Sequence, residues 1–204
     1  MSLLTLYHSP TSPFVRKCVV VLHETGQLAD VTLSPAAGTP IDPGTMPLSH
    51  NPLGKIPALE RPDGCTLFDS RVICRFLNDR GAGVLYPTGQ RGWEALTLEA
   101  MADGITDAAI LMVYETRARP EDKRFDGWVN GQWAKVERSL DALESRWIAY
   151  LAGPLCIGHI ALACTLGYLD FRHAERDWRR GRPALAAWEA RFAARAAMQA
   201  TMPA

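Results

Sequence analysis

The sequence predicts an α/β N-terminal domain of order βαβ–ββα followed by an all-α helical bundle. Three observations predict it. Over residues 1–80 of the 204, short apolar runs bounded by turn residues alternate with stretches of helical spacing. A Gly-rich segment, "GAGVLYPTGQ" at 81–90, then interrupts the chain. Beyond it no strand-like run remains and the apolar period is helical throughout.

Leu3–Tyr7 is an apolar, strand-like run closed by the turn-rich "HSPTSP". Phe14, Val15, Cys18, Val19 and Leu22 then recur at helical spacing until Gly26 ends the run. Val31–Leu33 is a second short strand. Residues 34–54 carry Pro35, Pro40, Pro43, Pro47 and Pro52 among Gly38, Gly44 and Gly54, so this segment holds no long helix and reads as a surface connection. "KIPALERPDGCTLF" is a hairpin turning at Pro62-Asp63-Gly64, and Asp69-Ser70 open a helix with Val72, Ile73, Phe76 and Leu77 toward the core. That order is the one of a thioredoxin-like domain. In the second half, Val129, Trp133, Val136, Leu140, Leu143, Trp147 and Leu151 step by three or four along one amphipathic helix. Further helices are expected over about 91–117, over about 157–173 and around Leu185, Trp188 and Phe192. The domain boundaries are therefore 1–80, a linker at 81–90, and 91–204.

Lys+Arg and Asp+Glu both number 22, which argues against a nucleic-acid or anionic-membrane partner, since either wants a net basic surface. No apolar run approaches the ~20 residues that span a bilayer, and the start "MSLLTLYHSPTSP" lacks the basic and apolar regions of a signal peptide. Cys18, Cys65, Cys74, Cys156 and Cys164 show neither CxxC nor zinc-finger spacing. The expectation is a reducing, cytoplasmic setting without structural metal. Asp103 and Asp107 share a helix face at i,i+4, but no His or third carboxylate stands at ligand spacing. The arginines at 172, 176, 179, 180 and 182 interleave with Asp170, Glu175 and Asp177 and read as an ion-paired surface.

Three stretches carry chemistry. Ser12 before Pro13 is a helix-start signal, and a cap worth ~1 kcal/mol would account for it. At the first βα turn of an α/β domain, however, helix N–H groups favour an anion, and a hydroxyl there can stabilise a thiolate. In "GKIPAL", Pro57 enters a strand directly. It does so as a trans proline at an edge, or through a cis Ile56–Pro57 bond that turns the N–H and C=O of Ile56 outward to pair with an extended peptide. In "FDSRVIC", Asp69-Ser70 is a cap, and also a receptor for an amino-acid end: the hydroxyl and helix N–H groups take a carboxylate and Asp69 takes the ammonium.

In this order and spacing, "TSPFVRK", "NPLGKIPAL", "LFDS" and "ADG" resemble the glutathione S-transferase family over nearly the whole chain, and in particular its small bacterial members of unassigned substrate. The "SPFVRK" pattern resembles the serine and cysteine subclasses. The resemblance implies a detoxifying transferase that binds reduced glutathione without a metal, conjugates it to a small hydrophobic electrophile held by the helical domain, and works as a homodimer. It implies Ser12 as donor to the glutathione thiolate, with Thr11 as the other choice. It places Ile56 on the cysteinyl backbone, Asp69 and Ser70 on the γ-glutamyl end, and Lys55 on the glycyl carboxylate. His50 is either a further contact or a surface loop imidazole. It also places Tyr114, Leu111, Met112 and Phe14 at the electrophile pocket, with core packing as the other reading, and Asp103 near a dimer interface.

A thiol–disulfide oxidoreductase of this fold would have cysteine at position 12, often with a second at 15; Ser12 and Val15 stand there. A glutathione-dependent isomerase or dehalogenase and a non-catalytic binding module remain as alternatives. One stretch departs from the family. Its buried helix opens with a Ser/Thr-x-x-Asp capping box, where this chain has Cys156-Ile157-Gly158-His159. His159 can still bond backward to the loop, but that helix is expected to rely on packing more than on capping.

Overall fold

The computed structural model describes residues 3–81 and 83–203; Met1, Ser2 and Ala204, at the ends of the predicted domains, and Ala82, in the predicted linker, lie outside the described residues. The chain forms two compact units. One runs to Tyr86 and takes in the residues from Ala200 on; the other is Pro87–Gln199.

In the first unit, β1 (Leu4–His8), α1 (Pro13–Glu24) and β2 (Val31–Pro35) form a βαβ crossover. After the irregular connection come β3 (Ala58–Glu60), β4 (Thr66–Leu67) and α2 (Ser70–Arg80). The sheet order is β2–β1–β3–β4, with β1 parallel to β2 and antiparallel to β3, and β3 antiparallel to β4. This is the thioredoxin-like arrangement that the element order predicts. Alternation along β1 buries Leu4 and Leu6 and leaves Thr5 and Tyr7 half-buried on the opposite face. The dry side is filled by Leu59, by Val15, Cys18, Val21 and Leu22 of α1, and by Ile73, Cys74 and Leu77 of α2. Burying each such aliphatic side chain contributes roughly 1.5–3 kcal/mol.

The second unit is helical: α3 (Gln90–Arg117), α4 (Asp126–Ala142), α5 (Ile148–Leu151), α6 (Ile157–His173), α7 (Pro183–Ala193) and α8 (Ala196–Gln199). Its centre is α6, buried on nearly every side against α3. The two helices approach closely at Gly158, where a Cβ would stand 2.8 Å from Leu98 and 3.0 Å from the Ala95 carbonyl, so only glycine fits. Further along, Thr106 Oγ1 lies 2.8 Å from Thr165 Oγ1, and His173 Nε2 donates to the Ala109 carbonyl at 3.0 Å.

The amphipathic run expected as one helix through Leu151 is interrupted. A π-helical turn, Leu143–Trp147, separates α4 from α5. Apolar residues three and four apart continue across it, so the pattern carries no sign of the wider turn. Within that turn Glu144 accepts the Ala184 and Leu185 N–H groups at 3.0 and 2.7 Å, capping α7. No described helix is long and apolar enough to cross a membrane.

The arginine-rich stretch after α6 divides. Arg179 pairs with Asp170, as the interleaving predicts, and also with Glu189, whereas Arg182 is buried and pairs with Asp141 of α4. Arg172 and Arg176 instead lie over the Phe171 and Trp133 rings.

Candidate functional site

The chain leaves β1 through Ser9–Ser12, a turn closed by the Ser12 N–H on the Ser9 carbonyl at 3.1 Å. Ser12 has extended backbone angles and caps α1: its Oγ accepts the Val15 N–H at 3.3 Å, and its carbonyl accepts the Arg16 N–H at 2.9 Å. Capping uses a lone pair of Oγ. The hydroxyl hydrogen has no acceptor among the described residues, so one side chain can both cap the helix and donate outward. No acidic residue occupies the first turn of α1, which leaves its positive end without a local counter-charge. Thr11 differs: its Oγ1 is 3.1 Å from Ser9 Oγ.

The Ile56–Pro57 bond is cis, and so is Phe68–Asp69. Pro57 is buried, Ile56 half-buried and Lys55 exposed. Neither the N–H nor the C=O of Ile56 makes a backbone hydrogen bond among the described residues. The approach to Ile56 is set by Asn51, which the sequence reading passed over. Only 2% exposed, it donates from Nδ2 to the Lys55 carbonyl at 2.8 Å and accepts the Leu53 N–H on Oδ1 at 3.1 Å. Its carbonyl accepts the Gly54 N–H at 3.0 Å, and Gly54 sits at φ 61°, where glycine carries no Cβ penalty. An Asn before Pro in a Gly-containing loop is a turn signal that could have singled it out.

Asp69 caps α2, accepting the Arg71 N–H on Oδ1 at 3.0 Å, and is otherwise exposed. Ser70 is 2% exposed. Cys18 Sγ lies 3.9 Å from the Ser70 carbonyl and 3.8 Å from Cys74 Sγ, so the two capped helices touch behind their N-termini.

Strand register gathers these segments. Tyr7 pairs with Ala58, and Leu59 with Leu67. The end of β1, the start of β3 and the end of β4 therefore lie at one end of the sheet. Thr11–Ser12, Lys55–Ile56 and Asp69–Ser70 extend from those three points. His50 is placed on the sheet face, with Nδ1 3.3 Å from Thr66 Oγ1, Nε2 3.9 Å from Glu60 and its ring 5.1 Å from that of Tyr7. Burial and the accepting Glu60 carboxylate push the Tyr7 phenol up. Burial alone pushes the His8 imidazole down.

In the helical unit Asp103 is buried, Asp107 and Leu111 are exposed, Met112 is buried and Tyr114 is half-buried. No group of three His, Cys, Asp or Glu side chains able to hold a metal occurs among the described residues. At the N-terminus of α6 the unusual tetrapeptide does close a capping box. The Cys156 N–H donates to His159 Nδ1 at 3.3 Å, and Cys156 Sγ lies 3.0 Å from the same nitrogen. Thiol and imidazole replace hydroxyl and carboxylate here, so a cap adds to the packing on which this helix is expected to rely.

Comparison with known proteins gives a consistent result. The model of the glutathione S-transferase N-terminal domain matches residues 11–80, which include all seven candidate residues, and that of the C-terminal domain matches 126–191. The uncharacterized GST-like protein YibF of Escherichia coli is 33% identical over 186 residues, covering 89% of this chain and 90% of its own. A glutathione transferase family member from Pseudomonas fluorescens, solved with bound glutathione, is 47% identical with a TM-score of 0.96, covering 98% of this chain and 99% of its own. A glutathione S-transferase from Methylobacillus flagellatus, also with glutathione bound, is 36% identical with a TM-score of 0.86, covering 98% and 100%.

Proposed function

Because the chain belongs to the glutathione S-transferase family, we propose that it binds reduced glutathione, holds the sulfur as thiolate and conjugates it to an electrophile. Lys55 takes the glycyl carboxylate, the Ile56 backbone pairs with the cysteinyl unit, and Asp69 and Ser70 take the γ-glutamyl ammonium and carboxylate. The Ser12 hydroxyl donates to the sulfur, and the positive end of α1 favours the negative charge there. The thiol proton leaves to solvent. The sulfur lone pair forms the new S–C bond while the electrophile's leaving group, or its polarised double bond, takes the displaced pair. Catalysis is positioning and electrostatic stabilisation, with no bond to the protein.

The observation that supports this most is the gathering, at one end of the sheet, of a hydroxyl donor without an acceptor, an unpaired backbone N–H and C=O, and a carboxylate beside a buried hydroxyl. The glutathione complexes of relatives at 36–47% identity add to it. The reading extends to a cytoplasmic homodimer whose helical unit holds the electrophile. Exposed Val72 on α2 and exposed Trp93 and Leu96 on α3 are apolar surface that a second copy would cover.

Calorimetric titration with reduced glutathione tests the reading. Binding by the wild type and a roughly ten-fold loss in Asp69→Asn or Ser70→Ala, the size of a hydrogen bond to a charged group, is the expected result. A wild type that takes up no glutathione overturns it.

A further inference from the structure

Cys18 of α1 and Cys74 of α2 meet on the dry side of the first unit, and both are fully buried free thiols. The Cys74 thiol donates to Cys18 Sγ at 3.8 Å, and the Cys18 thiol donates to the Ser70 carbonyl at 3.9 Å. The two sulfurs are therefore in van der Waals contact across the two helices. The other thiols are differently placed: Cys65 is exposed, and Cys156 lies against His159.

What marks the pair is what it joins. Cys18 stands six residues after Ser12, and Cys74 four after Ser70. The sulfurs lie just behind the N-termini of the two helices that begin at the glutathione-binding residues proposed above. A bond between sulfurs needs them at about 2 Å, so bonding draws α1 and α2 together from the 3.8 Å contact. It also removes the hydrogen that Cys18 gives to the Ser70 carbonyl. A close-packed interior passes such a shift to its neighbours instead of absorbing it.

We propose that Cys18 and Cys74 are a redox-sensitive pair: hydrogen peroxide converts them to a disulfide, and the disulfide weakens glutathione binding by displacing the start of α2. The proposal rests on the transferase reading and names a control on that same site. The Cys18 sulfur attacks one peroxide oxygen; an S–O bond forms, the O–O bond breaks, and hydroxide leaves and takes the Cys18 proton to become water. The Cys74 sulfur then attacks Cys18; the S–S bond forms, the S–O bond breaks, and the oxygen leaves with the Cys74 proton as a second water. The two thiols lose two electrons and the peroxide gains them. Full burial admits only an oxidant near the size of water, through local opening of the helices, so the conversion is slow. A transient disulfide of this kind is what a reducing setting permits.

The test uses the full chain in a Cys65→Ser background, which removes the exposed thiol. Folded protein is incubated with hydrogen peroxide, freed of it, and divided. One half is digested without reductant for mass spectrometry. The other is titrated with S-methylglutathione, which has no thiol to reduce the disulfide. The expected result is a peptide pair cross-linked through Cys18 and Cys74. Affinity is expected to fall at least about five-fold, the lower end of coupling between sites, and to return after dithiothreitol. Cys74→Ala and Cys18→Ala are expected to bind alike before and after peroxide. No cross-link in the folded protein overturns the pair, and this readout needs no variant at either position. A cross-link with unchanged affinity, or a loss of affinity that persists in both alanine variants, overturns the control on the site and leaves the transferase reading standing. Failure of the reduced protein to bind S-methylglutathione overturns the transferase reading and the control with it, whatever the cross-link shows.

Discussion

Cys156 and His159 hold the start of α6 together, with the backbone N–H of one bonded to the imidazole of the other and the thiol 3.0 Å from the same nitrogen. Because Nδ1 accepts, the proton of the neutral ring sits on Nε2, which is buried without a hydrogen-bond partner. The ring packs among Tyr150, Trp188 and Phe192. His159→Ala removes both the cap and this packing. A cap is worth about 1 kcal/mol and a buried large-to-small change about 2–4 kcal/mol. Denaturant unfolding is expected to show a loss of at least about 2 kcal/mol; a loss under about 0.5 kcal/mol would mean that the box contributes nothing.

The burial of His159 also makes stability depend on pH. Burial pushes His159 below its ordinary value of 6.5, with Arg91 and Arg195 adding to the effect and the Leu151 and Tyr150 carbonyls opposing it. His173 is pushed down for the same first reason, against its bond to the Ala109 carbonyl. As pH falls through 6.5, the unfolded chain binds protons that the folded chain refuses. The stabilisation is therefore full above pH 6.5 and is lost toward acid, by up to about 1.4 kcal/mol per pH unit for each histidine. Urea midpoints between pH 8 and pH 5 are expected to fall, and His159→Gln to flatten the slope. Midpoints that rise toward acid contradict this assignment.

Asn51 is expected to matter to both stability and binding. Asn51→Ala frees the Lys55 carbonyl and the Leu53 N–H, two bonds worth about 1 kcal/mol each. Losing them also releases the backbone that precedes Ile56. An unfolding free energy lower by about 1–2 kcal/mol, together with glutathione affinity weakened about ten-fold, is the expected outcome. Lower stability with unchanged affinity would show that Asn51 supports the loop without positioning the site.

How far these relationships were legible depends on what each one rests on. Apolar periodicity and Pro/Gly punctuation placed the helices at 90–117 and 157–173 closely, because burial against neighbours writes a 3.6-residue pattern. The π-helical turn at Leu143–Trp147 left no such mark. The bonds of Asn51 and the contacts of His50 with Glu60 and Thr66 arise in or from a connection without periodicity, so only the folded chain reveals them. The capping box was half legible: His159 can be read as bonding backward, but the rule is phrased for hydroxyl and carboxylate, while a thiol and an imidazole have the same reach. Ser12 was legible as a cap from Ser-Pro alone. That its hydroxyl hydrogen remains free is a property of the geometry.

That free hydrogen is the centre of the account, and the ultraviolet absorbance of bound thiolate against pH measures its effect most directly. Wild type and Ser12→Ala are saturated with reduced glutathione and titrated together. Ser12 acting as the donor predicts that sulfur on the wild type ionises at or below about pH 7.5, and that on the variant it returns toward the free thiol's value of about 8.5. If both proteins bind glutathione and ionise it at the same pH, Ser12 only caps α1, and the central claim is wrong.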